Sequence, residues 1–269
     1  MPRRLWKIAS LIVTGLVFSP LASANETHVT LDTRPGVTLS FLLRTPPKPV
    51  ASVILFAGGD GNLKLDGTQI GWGKDNFLVR TRHLFADHGF QVAVVDAPSD
   101  RKSVDGMQRG FRMSPEHATD IQALIAELKK RSGVPVWLIG TSRGTESAAY
   151  VGLHRQDQIG GIVLTSAITH SNRIGRSVTT LDLESLRLSV LIVAHKQDGC
   201  EHTPASGAER IKKALAQSPK AEVLYVEGGA PPRSSACEAL TPHGFFGIEP
   251  QVVEAIAAFI KSRRYGYSG

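Results

Sequence analysis

Three side chains suited to acyl transfer stand far apart in this sequence: Ser142, Asp198 and His243. A serine hydroxyl is a weak nucleophile near neutral pH. It needs a base to take its proton and an acid to orient that base. Ser142 lies in Gly140-Thr141-Ser142-Arg143-Gly144, a G-x-S-x-G pattern, with the apolar run Val136 to Ile139 before it and Ser147-Ala148-Ala149 after it. A strand, a tight glycine turn and a helix in that order would lift the serine out of a sheet and point the first helical N–H groups at whatever binds above it. The pentapeptide alone also occurs in structural turns, so its flanks carry the reading.

These residues need elements to bring them together. Ala51–Ala57, Phe90–Asp96, Val134–Ile139, Ile159–Thr165, Ser189–His195 and Ala221–Val226 read as strands, the first of them a continuous apolar run expected to be buried on both faces. Helical patterns separate them at Asp75–His88, Ser114–Arg131, from the serine turn to Leu153, and at Pro204–Gln217, and a last one closes the chain at Glu249–Arg264. Ser114-Pro115-Glu116 is a strong helix start, with a capping serine, proline just inside and an acid in the first turn. His28–Thr33 and Val37–Leu43, joined by Arg34-Pro35-Gly36, read as an N-terminal hairpin. The expected fold class is α/β: a mostly parallel central sheet with an antiparallel hairpin at one edge and helices on both faces.

In such a sheet, ligands meet loops at the carboxyl ends of the strands. Asp198 follows the Ser189–His195 strand, and His243 follows the last strand, just before the closing helix. Asp198-Gly199 could also be a plain turn and His243 a surface-loop histidine. His195 and His202 flank Asp198 as rival bases; His195 is read as ending its strand and supporting the loop, and His202 as the decoy to test.

The order serine, acid, histidine, with the strand-turn-helix at the serine and His-Gly before the last helix, resembles the α/β-hydrolase superfamily across nearly the whole chain after residue 24. The resemblance implies a nucleophile at Ser142, a general base and acid at His243 and an orienting acid at Asp198. It also implies an oxyanion hole built from the backbone N–H of Arg143 and a second one from Gly59 or Asp60, in Gly58-Gly59-Asp60-Gly61-Asn62. Ala57 stands where many carboxylesterases carry a histidine, so the second donor stays open between those two. Only about twenty residues separate the strands ending at Thr165 and starting at Ser189, too few for a large helical lid, which implies an open site. The expected activity is hydrolysis of a small-molecule carboxylic ester through an acyl-enzyme, without cofactor or metal. The alternatives are a peptidase or amidase on the same triad, or a non-catalytic binding protein on this fold.

Cys200 lies beside the candidate acid and Cys237 shortly before the candidate base, so a disulfide between them would hold the two loops in register. Arg3, Arg4 and Lys7, the apolar stretch Ile8–Phe18 and the small residues ending at Ala24 read as a signal peptide over 1–24, leaving a single domain over 25–269. The protein is therefore expected outside the cytoplasm, periplasmic or secreted, without stable membrane association after cleavage, and there a disulfide can persist. Removing the leader lowers the formal charge of +7 to about +4, too weakly basic to imply nucleic acid. Arg101, Lys102, Arg109 and Arg112, in the loop from Ala97 to Met113, read as a solvated basic loop, with selection of an anionic acyl group as the other option.

Overall fold

The computed structural model describes residues 25–103 and 105–262, so the proposed leader over 1–24 lies outside the described residues. β1 (Glu26–Arg34) and β2 (Val37–Arg44) form the antiparallel hairpin. β3 (Ala51–Phe56) is followed by a small unforeseen hairpin, β4 (Leu65–Asp66) and β5 (Gln69–Ile70). Next come α1 (Phe77–Arg80) and α2 (Arg82–Asp87), then β6 (Phe90–Val95) and α3 (Pro115–Ser132). β7 (Val136–Thr141), α4 (Gly144–His154), β8 (Gly161–Thr165), β9 (Ser189–His195), α5 (Gly207–Ala214), β10 (Ala221–Val226) and α6 (Glu249–Ser262) complete the chain.

Two helices differ from the sequence reading for identifiable reasons. Asp75–His88 is not one helix. The Asn76 side chain accepts the Leu78 N–H and starts α1 there, and the Thr81 hydroxyl donates to Phe77 O at 2.6 Å where α1 ends. α5 begins only at Gly207, because the chain from Pro204 first makes a tighter turn, Gly207 N–H to Pro204 O at 2.8 Å.

The main sheet has eight strands in the order β1-β2-β6-β3-β7-β8-β9-β10. β6 to β10 pair parallel, and the hairpin joins antiparallel through β2 on β6. Alternate residues of the buried strands feed two separate cores, as a period of two requires. Ile54, Phe56 and Leu138 pack under α3, α4 and α5, whereas Val53, Leu55, Trp137 and Ile139 pack under α1, α2 and α6. This is the α/β architecture expected, with helices on both faces. No helix among the described residues is long and apolar enough to cross a membrane.

One core residue is titratable. His117 of α3 is fully buried between the rings of Phe56 and Phe111, with neither ring nitrogen hydrogen-bonded. Burial first, then Arg112 and Arg34, pulls its pKa from 6.5 down to about 3. The folded imidazole stays neutral while the unfolded one takes a proton, so stability present above about pH 6.5 is lost as the pH falls toward 3. His117→Leu should shrink the loss of unfolding free energy between pH 7 and pH 4 by about 3 kcal/mol. Chemical denaturation at both pH values measures this, and an unchanged difference would show that His117 does not resist protonation.

Candidate active site

At the end of β7 the chain turns so tightly that side chains are excluded. A Cβ on Gly140 would lie 2.2 Å from Gly144 O, and one on Gly144 would lie 2.1 Å from Phe56 O, on the neighbouring strand β3. These contacts explain both glycines of the motif. Between them Ser142 adopts φ +67°, in the left-handed region that a side chain makes costly. Its backbone is held there by Ser142 N–H to Thr165 O at 3.1 Å, and its carbonyl accepts from Thr145 N–H at 2.9 Å and the Thr145 hydroxyl at 2.6 Å.

His243 arrives on a short turn, Pro242–Gly244, whose first N–H groups are capped by the Thr241 side chain at 3.2 Å from His243 N. Arg80 of α1 donates to Gly244 O at 2.6 Å and pairs with Glu249 at 2.9 Å, tying the turn to both flanking helices. Ser166 Oγ donates to His243 O at 2.7 Å from the opposite side. The ring is thereby set with Nε2 3.1 Å from Ser142 Oγ and Nδ1 3.0 Å from Asp198 Oδ2. The carboxylate requires a proton on Nδ1, which leaves Nε2 free to accept the serine hydroxyl proton.

The Asp198 side chain is only 1 % exposed. Its Oδ1 accepts Cys200 N–H at 2.9 Å and its Oδ2 accepts the Thr203 hydroxyl at 2.9 Å. Thr203 Oγ1 also lies 3.0 Å from His243 Nδ1, so this hydroxyl touches both acid and base. Sequence reasoning missed it, because a threonine in a polar turn carries no distinguishing spacing. The rival histidines are engaged elsewhere. His195 Nε2 meets Gly228 O at 3.0 Å and its Nδ1 accepts Gln197 N–H at 3.0 Å, so it supports the loops after β9 and β10. His202 Nε2 faces the Asn172 side chain at 3.0 Å.

Cys200 and Cys237 form a disulfide, with Cα atoms 4.6 Å apart and a sequence separation of 37. It links the Asp198 loop to the long segment that leads into His243. Cys237 also lines a cleft of about 50 Å³ with Gly58, Gly59, Asn76, Ser142 and His243. Gly58 passes so close that a Cβ there would lie 3.1 Å from Ser142 Cβ. Of the residues considered for the second oxyanion donor, Gly59 lines this cleft and Asp60 lines the wider groove that continues from it. Arg143 follows Ser142 at the start of α4. Its side chain is committed to Glu146 at 2.7 Å and Asn172 at 2.6 Å, so only its backbone is offered to a ligand.

The groove holds about 580 Å³ and runs between the β4–β5 segment and residues 234–240. Asp60, Lys74, Asp75 and Glu238 supply its charges. Its wall includes Trp72, 61 % exposed, the one mostly exposed large apolar side chain among the described residues. None of the four basic residues of the 97–113 loop lines cleft or groove. Arg101 and Arg109 are exposed and Lys102 pairs with buried Asp96 at 2.6 Å, in keeping with a solvated loop. Arg112 corrects that reading: it is 1 % exposed and packed beneath the serine turn. The segment between β8 and β9 carries two 3-10 turns and one isolated bridge, Asn172 to Gly175, and buries Val178, Leu183 and Leu186, so it lies down on the fold and builds no lid.

Two measurements test how the acid and base are held. If Ser142, His243 and Asp198 act together as a nucleophile, base and acid, Thr203→Val should lower the rate of Ser142 acylation about fivefold with little change in substrate affinity, since a hydrogen bond to the carboxylate is lost while the packing is kept. Replacing both cysteines by serine should cost about 3–4 kcal/mol of unfolding free energy and slow the same step. A double-cysteine variant with unchanged stability and rate would leave the bridge without a role in either.

No family model and no curated protein sequence matches the chain. Solved structures do. Est1E from Butyrivibrio proteoclasticus, which has also been solved with bound ferulic acid, aligns at 16 % identity over 88 % of this chain and 99 % of its own, with a TM-score of 0.61. The Pyrococcus furiosus esterase Pf2001 aligns at 14 % identity over 89 % and 92 %, with a TM-score of 0.66. A predicted CIB-like hydrolase from Thermoplasma acidophilum aligns at 16 % identity over 89 % and 99 %, with a TM-score of 0.60. Identities this low speak to architecture, and together with the strand order and the serine turn they establish that the chain has the α/β-hydrolase fold.

Proposed function

We propose that the protein is an exported, single-domain serine hydrolase that cleaves a carboxylic ester through an acyl-enzyme. The observation that carries this is the hydrogen-bonded line Asp198–His243–Ser142, with gaps of 3.0 and 3.1 Å, ending on a serine held in a left-handed conformation beside a cleft. A structural turn has no use for this strained backbone, nor for a carboxylate and imidazole aligned behind it.

In this reading His243 Nε2 takes the Ser142 proton as Oγ attacks the ester carbonyl. The negative charge that develops on the carbonyl oxygen is met by the backbone N–H of Arg143 and that of Gly59 or Asp60. Asp198 stabilises the imidazolium and keeps its tautomer. The imidazolium then protonates the departing alkoxide, the acyl group remains on Ser142 Oγ, and water activated by the same imidazole releases it as the acid. The groove beside the cleft would hold the larger part of the ester. Trp72 offers a flat apolar face there, and the surrounding carboxylates favour a neutral, hydroxyl-bearing group over an anionic one.

Export is supported by the disulfide and by the leader-like first 24 residues of the sequence.

Purified protein should hydrolyse p-nitrophenyl acetate, and Ser142→Ala should lower kcat by about four orders of magnitude or more while leaving the circular dichroism spectrum unchanged. Retained turnover in that variant would remove Ser142 from the mechanism. Trp72→Ala should raise KM for an ester of an aromatic acid, such as methyl ferulate, by about tenfold and leave p-nitrophenyl acetate nearly untouched. An unchanged KM for methyl ferulate would place its aromatic acyl group outside the groove.

A further inference from the structure

Arg112 is the largest side chain in the fully buried set, and it is a cation. Nothing in the reaction just described uses it. Burial lowers its pKa to about 10, against the pull of Glu146 and Asp60, so it stays protonated at neutral pH. A buried guanidinium is costly unless its donors are satisfied. Its partners are therefore informative. Nη1 donates to Ser147 Oγ of α4 at 2.9 Å, and Nη2 donates to Ala57 O at 2.9 Å and Gly59 O at 3.2 Å.

Those two carbonyls stand on either side of the peptide that carries the Gly59 N–H, in the loop that lines the cleft beside Ser142. Peptide planarity makes each C=O antiparallel to the N–H that follows it. Clamping Ala57 O and Gly59 O on one guanidinium nitrogen thus turns the Gly58 and Asp60 N–H groups away from Arg112 and suspends the Gly58–Gly59 peptide between two fixed units. Glycine-rich backbone has no side chains of its own to fix it, and Gly59 and Gly61 adopt φ of +62° and +68°. Gly61 also leaves room for the clamp: a Cβ there would lie 2.5 Å from Arg112 Nη2. The Ser147 bond ties the guanidinium to the helix that starts at the nucleophile.

We propose that Arg112 is a positioning residue for the oxyanion hole, fixing the donor loop after β3 relative to Ser142 and polarising its peptides from behind. It touches no substrate. This rests on the ester-hydrolase reading above and deepens it. Its effect belongs to the transition state, since the oxyanion forms only there.

The test uses Arg112→Met, Arg112→Lys and Ser147→Ala in the mature protein. Kinetics are measured with p-nitrophenyl acetate, affinity with an aryl trifluoromethyl ketone, and hydrogen exchange by mass spectrometry. Arg112→Met should lower kcat on the order of 30-fold with KM within about twofold, and should weaken the ketone, whose hemiketal oxyanion needs the same donors, in proportion. Arg112→Lys, which keeps the charge but loses the fork, should recover only part of both. Exchange of the amides over 57–62 should accelerate in Arg112→Met, while those of Val136–Thr141 stay protected. Should Arg112→Met fail to fold, Ser147→Ala carries the test, with a change of about threefold in the same three readouts. Folded variants with wild-type kcat and ketone affinity, or a loss confined to KM, would overturn the proposal. If the wild type hydrolyses no ester, the ester reading fails on its own account, and exchange over 57–62 still decides whether Arg112 fixes the loop.

Discussion

Three backbone segments converge on a space too small for a side chain: the end of β3, the end of β7 and the start of α4. Gly140 and Gly144 are required because Phe56 O and Gly144 O occupy the positions their Cβ atoms would take. This contact fixes the height and direction of Ser142. It also brings the loop after β3 against Ser142, because β3 and β7 are adjacent and in register from Ser52 and Val136 to Phe56 and Gly140. The close approach thus sets both where Ser142 stands and what faces it. The cost is a left-handed serine, offset by the hydrogen bonds that Thr145 and Thr165 make to its backbone.

The polar layer beneath this turn follows from the same crowding. Arg112, Glu146 and Arg143 are all buried there. Burial raises the Glu146 pKa while Arg143 and Arg112 pull against it, so the carboxylate is stabilised by two cations. Each of the two cations also anchors a piece of backbone or a side chain around Ser142: Arg112 the loop after β3, Arg143 the segment near Asn172. On the other side of the cleft, the disulfide and Thr203 hold the acid and base loops. The site is a set of loops clamped from behind by buried polar groups, with its open face left to a groove.

Much of this was legible in the sequence. Parallel strands buried on both faces write themselves as apolar runs, so Ala51–Phe56 and Ser189–His195 were readable, and the places of Asp198 and His243 followed from the strand ends. The glycines around Ser142 and the pairing of Cys200 with Cys237 were readable for the same kind of reason, since local sterics and proximity to a shared site leave marks in residue type. What escaped depends on contacts between distant segments. Arg112 looks like any arginine in a polar loop until Ala57, Gly59 and Ser147 surround it. Thr203 is ordinary until His243 is placed against it. The break at Thr81 and the β4–β5 hairpin that walls the groove arise from side-chain capping and two-residue strands, which leave no periodic signal.

Every step proposed above depends on chemical activation of Ser142 by His243. Intact-protein and peptide mass spectrometry after treatment with a fluorophosphonate tests it most directly, because that reagent phosphonylates activated serines and requires no knowledge of the substrate. One adduct is expected, on the peptide containing Ser142, lost in His243→Ala and retained in His202→Ala. Correctly folded, disulfide-bonded protein that takes up no adduct, or an adduct that survives His243→Ala, would contradict it.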